Sequence, residues 1–173
     1  MNPLAWFVPG VRANGTTFFL GLLVFLAAHV ALTAVQLYTD IALPDGTGLI
    51  FLAVLLLLLV FVHLNRLNDA GRSWTWVFLP IPLALVAFFV VVMIFGTMYF
   101  FQQLGVYAEA NSLDGATVMQ DPALMQEFQT WIENNEGDIT GLQLVAAWGS
   151  TGAFWAVILL FGLWFRGMPS REA

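Results

Sequence analysis

His29 and His63 are the only imidazoles in the sequence, and Ser150 stands in the string Gly149-Ser150-Thr151-Gly152. A serine and a histidine at one depth would suit nucleophilic hydrolysis, while a lone histidine would suit ligation of a tetrapyrrole or a metal. His29 lies inside a long apolar run, and an ionisable residue there is a functional hypothesis by default. On helices rising 1.5 Å per residue, His29 sits about 14 Å from the acidic end of its run and Ser150 about 12 Å from that of its own. Gln36 and Thr97 fall near the same layer. These four residues are therefore a candidate polar layer, able to line the cavity of a transporter or channel.

Each chemistry has a plainer rival. His63 lies at the opposite end of the second run, and His29 is about 18 Å from that end, so the two cannot share one haem iron. No cofactor and no metal is implied. The serine string is not the Gly-x-Ser-Gly of rhomboid-type proteases. The expected role of His29 is to donate a hydrogen bond to a hydroxyl or carbonyl on a neighbouring helix, a contact of about 0.6 kcal/mol in membrane proteins. His63 is expected to snorkel at the interface beside Arg66. The acidic string Asn134-Asn135-Glu136-Gly137-Asp138 has oxygen ligands of the kind Ca²⁺ takes, without the spacing of an EF-hand loop.

The densest polar cluster is Asn65-Arg66-Leu67-Asn68-Asp69-Ala70-Gly71-Arg72-Ser73. Arg66 and Asp69, three apart, can pair on one helical face. Gly71 suits a left-handed helix end, and Ser73 can cap the next helix. The stretch resembles the signature of the "domain of unknown function" family eight-zero-five of small bacterial inner-membrane proteins. Arg66, Leu67, Asp69, Gly71, Arg72, Ser73 and Pro80-Ile81-Pro82 match, with Asn68 where that family carries His and Trp74 where it carries Gly. Arg12-Ala13-Asn14 and Phe18-Phe19 are a second, shorter similarity. The resemblance implies a multi-pass membrane protein of unassigned biochemistry and brings no catalytic residues with it.

Four apolar runs hold these residues, at about 17–38, 48–64, 77–104 and 142–165, joined by a long loop at 105–141. A span needs about 20 apolar residues. The chain is 60% hydrophobic and 9% charged, far below the roughly one quarter charged residues of globular domains. The predicted fold is an all-α membrane protein, a four-helix transmembrane bundle forming a single integral domain over 1–173. The first run exceeds the length of a signal-peptide core and is read as a retained span.

The five basic residues are Arg12, Arg66, Arg72, Arg166 and Arg171. Four crossings return all of them to one side. Cytoplasmic loops keep positive charge, so the expected topology is N-in and C-in, and the resemblance implies a bacterial inner membrane. Of the eleven acids, all but Asp69 and Glu172 fall on the other side. With no basic face outside, nucleic-acid binding is not expected. The absence of Cys excludes a disulfide framework and a thiol nucleophile.

Within the long loop, Asp121-Pro122 reads as a helix start, followed by Leu124, Met125, Phe128, Trp131 and Ile132 at helical spacing. This predicts an outer amphipathic helix that lies on the membrane or docks over the bundle. Gly149, Gly152, Ala153 and Ala156 form a small-residue stripe on the fourth run, expected to pack inside the bundle. Together these features favour a non-catalytic accessory or scaffold protein, packing against itself or a larger membrane complex.

Overall fold

The computed structural model describes residues 3–39, 41, 43–135 and 141–171. Glu136, Gly137 and Asp138 of the acidic string lie outside them, as does Asp40. Among the described residues the chain is helical and has no strand. Helix α1 spans Gly15–Tyr38, α2 Thr47–Asp69, α3 Pro80–Ala110, α4 Gly115–Gln120, α5 Pro122–Asn134 and α6 Gly141–Arg166, with short 3-10 helices at Pro3–Trp6 and Trp74–Phe78. Four helical segments are long and apolar enough to cross a membrane: α1, α2, α3 with the 3-10 turn before it, and α6. The protein is thus an all-α membrane protein with four candidate spans.

Local chemistry sets the helix ends. The Asn14 side chain caps α1 by accepting from the Thr17 N–H at 2.8 Å. At the end of α2, Gly71 adopts φ +63°. The Gly71 N–H then donates to Asn68 and the Arg72 N–H to Leu67 at 2.9 Å. This paired closure is the Schellman motif, which favours glycine because a Cβ is strained at that φ. Helix α2 runs to Asp69 rather than stopping at 64, because the folded chain satisfies the polar side chains of its last turn. Ser73 caps the 3-10 turn, accepting from the Thr75 N–H at 3.3 Å, and not α3 itself. Helix α3 starts at Pro80, and neither Pro80 nor Pro82 has an N–H to offer a preceding turn.

The chain divides into two compact units. The first comprises residues 1–89 and 150–173, the second 90–149, and α3 and α6 each contribute to both. The first unit packs Phe18 and Leu22 of α1, Leu59 of α2, Ala84 of α3 and Phe154 and Ile158 of α6 into one core. Between lipid-embedded helices there is little hydrophobic drive, so close backbone approach carries the packing. A Cβ on Gly162 would lie 2.6 Å from Leu22 Cδ1, and one on Gly15 would lie 2.5 Å from the Arg166 carbonyl oxygen.

The small-residue stripe behaves differently. In the second unit, a Cβ on Gly149 would meet Val91 Cγ1 at 3.2 Å, but one on Gly152 would meet nothing within 4 Å. Gly152 and Ala156 are exposed and Ala153 is half-buried. Phe154, Trp155 and Ile158 fill the inward face of α6, which turns Gly152 and Ala156 away from it.

In the second unit, α5 begins where its sequence indicates. Asp121 Oδ1 accepts from the Ala123 N–H at 2.8 Å with Pro122 in the first turn. Phe128 is fully buried. Its ring lies 5.6 Å from Phe100 and 5.4 Å from Tyr107. The apolar face of α5 is therefore covered by the last turns of α3 and by Val118 of α4. Helix α3 has 31 residues, about 46 Å of helix against a hydrocarbon core of about 30 Å. Its last turns are where α5 docks.

Candidate functional site

The Arg66 cluster is assembled from both ends of the first unit. Arg66 is 1% exposed. A buried guanidinium must find partners for all its donors. Nη1 donates to Asp69 Oδ2 at 2.6 Å, and Ser170 Oγ donates to the same oxygen at 2.6 Å. Nε donates to the Phe165 carbonyl at 2.9 Å. Nη2 donates to the Arg166 carbonyl at 3.4 Å and to the Met168 carbonyl. Those oxygens belong to the last turn of α6 and the segment after it, where backbone acceptors lack helical partners and the helix dipole is negative. A cation from α2 thus caps α6. The Asp69 carbonyl in turn accepts from the Arg171 N–H at 2.7 Å.

Asn65 does the same for the N-terminal lead-in. Its amide donates to the carbonyls of Ala5 at 2.8 Å and Val8 at 2.7 Å. Its Oδ1 accepts from the Gly10 N–H at 2.8 Å. The Trp6 indole donates to the Thr17 carbonyl at 2.8 Å. Sequence reasoning placed the Arg66–Asp69 pair but missed Asn65 and Ser170. The available signal was a fully polar turn directly after an apolar run.

His29 sits at a helix contact, where it accepts a hydrogen bond from an indole rather than donating one to a hydroxyl or carbonyl. Its Nδ1 accepts from the Trp155 indole N–H at 3.0 Å. Phe51 and Phe154 pack at ring centroids 5.7 and 6.1 Å away. An indole nitrogen can only donate, so in the neutral imidazole the proton sits on Nε2. Neither nitrogen then offers a free lone pair to take a proton from a serine or to ligate a metal. Ser150 is buried on α6, one turn before Phe154, whereas Gln36 and Thr97 are exposed, Thr97 in the second unit. His29 and Ser150 thus share the interior of the first unit, and Gln36 and Thr97 do not belong to it.

His63 does not snorkel. It is fully buried, its ring edge-on to Phe18 at 5.1 Å and Phe165 at 5.6 Å. Its Nδ1–H donates to the Leu59 carbonyl one turn earlier at 2.7 Å. That internal bond satisfies Nδ1, while the buried Nε2 has no hydrogen-bond partner among the described residues. Among the described residues no group of three His, Asp or Glu side chains gathers as a metal-ligating set.

Beside the Arg66 cluster lies a cavity of about 330 Å³ bounded by Gly10, Asn68, Arg72, Ser73 and Trp74. Arg72 also borders a second hollow of about 180 Å³ with Trp76, Trp164 and Met168. Trp76 and Trp164 meet edge to face at 5.4 Å. Arg166 stacks over Phe19 at 5.0 Å. No protein-family model matches the chain, no curated protein is similar to it, and no solved structure matches its fold.

Proposed function

We propose that the protein is a non-catalytic, multi-pass component of a bacterial inner membrane, with both termini in the cytoplasm, acting as an accessory or scaffold protein. The observation that carries this reading is the commitment of His29 and Arg66 to the protein's own fold. The His29 Nδ1 lone pair is taken by Trp155, and the buried donors of Arg66 are taken by Asp69 and the end of α6. A catalytic base or a solute pathway needs such groups free. Transport through the layer of His29, Gln36, Thr97 and Ser150 gains no support from these positions.

Membership of the family with the Arg-Leu-x-Asp-x-Gly-Arg-Ser signature belongs to the same proposal, and the Arg66 cluster supports it by giving that signature a structural purpose. The arginines at the ends of α2 and α6 support the N-in, C-in topology, with α5 then on the periplasmic side. The scaffold reading implies a partner, either a second copy or a larger membrane complex. In mild detergent, cross-linking should trap the protein in a species larger than one chain, and His29→Leu should leave that species intact. A solitary monomer with no cross-linked partner would overturn the reading.

A further inference from the structure

We propose that the cavity beside Arg72 binds a phosphate ester, in the first instance the headgroup of an anionic phospholipid. The inference needs only that α1, α2, α3 and α6 cross a membrane. It does not depend on the scaffold reading.

The cavity pairs one cation with neutral polar groups and no acid. Arg72 and Asn68 make no side-chain hydrogen bond or ion pair among the described residues. Both are exposed and border the same hollow, together with Ser73, whose hydroxyl is held by the Thr75 hydroxyl and N–H. Asp69, the one acid nearby in sequence, is already held by Arg66 and Ser170, so it does not neutralise Arg72. A second cation comes close: the Arg171 stem passes Gly71, where an added Cβ would lie 3.0 Å from Arg171 Cδ. A planar guanidinium with an amide beside it matches the oxygens of a phosphate ester.

Depth points to the same ligand. Trp74, Trp76 and Trp164 are 61%, 42% and 47% exposed. Tryptophans left outward at the ends of spans sit at headgroup level. They place Arg72 where lipid phosphates lie. The volume of about 330 Å³ falls at the small end of the roughly 300–1,000 Å³ typical of ligand pockets, enough for a headgroup but not for a large cofactor.

The test uses the full chain in nanodiscs of zwitterionic lipid doped with phosphatidylglycerol, and counts bound phosphatidylglycerol by native mass spectrometry. A parallel arm offers soluble glycerol phosphate to the protein in detergent. Arg72→Gln should weaken phosphatidylglycerol retention roughly tenfold or more, as expected for loss of a charge-assisted contact, and Asn68→Ala should weaken it less. Arg12→Gln, exposed and outside the cavity, should retain wild-type binding. Binding of glycerol phosphate that is lost in Arg72→Gln, without lipid retention, would support the site and assign it to a soluble ester. Equal retention by wild type, Arg72→Gln and Asn68→Ala in both arms would overturn the proposal. So would an equal loss in Arg12→Gln, which would reduce the effect to net charge.

Discussion

Replacing Arg66 with leucine should cost the protein much of its stability. The substitution removes the guanidinium donors to Asp69 Oδ2 and to the carbonyls of Phe165, Arg166 and Met168. Breaking a buried ion pair by deleting one partner typically costs about 3–5 kcal/mol, because the other charge is left without compensation. The Asp69 side chain is 11% exposed and keeps its Ser170 bond, so the lower end of that range, about 3 kcal/mol, applies. At about 1.4 kcal/mol per factor of ten, the unfolding equilibrium should rise roughly a hundredfold. Titration of the detergent-solubilised protein with SDS, followed by tryptophan fluorescence, reads this shift. The double variant Arg66→Leu/Asp69→Leu should recover part of the loss, since it leaves no orphan carboxylate. Exposed Arg12→Leu should leave the midpoint unchanged. If Arg66→Leu shifts stability by less than about 1 kcal/mol, or if the double variant is worse by the full sum of the singles, the capping argument fails.

Two further outcomes follow from the packing. A double-mutant cycle of His29→Leu and Trp155→Phe should give a coupling near 0.6 kcal/mol and no more than about 1.7, the range of interhelical bonds in membranes; a coupling indistinguishable from zero would mean that the bond does not form. Phe128→Ala should cost about 3–5 kcal/mol of local packing and release α5 from α3, so limited proteolysis should cut between residues 111 and 134 faster than in the wild type. An unchanged digestion pattern would mean that α5 is held by something other than Phe128.

The sequence by itself determined the elements whose causes are local. Apolar runs long enough to cross a bilayer predict four spans, and α1, α2, α3 and α6 occupy them. Asp121-Pro122 predicts the start of α5, and Gly71 the end of α2, because caps and left-handed turns depend on a few neighbouring residues. The Arg66–Asp69 pair was legible for the same reason, being one helical turn apart. What only the tertiary structure decided is where the polar groups find their partners. Arg66 meets a carbonyl 99 positions away, and His29 meets an indole 126 positions away. No periodicity encodes such distances. Packing also displaced two expectations about side chains. His63 packs between Phe18 of α1 and Phe165 of α6, contacts that only the folded chain supplies. Gly152 and Ala156 face outward because larger side chains of α6 claimed the core, leaving the close approach to Gly162. A stripe of small residues permits contact, but which face of a helix is used depends on the shapes that the other helices bring to it.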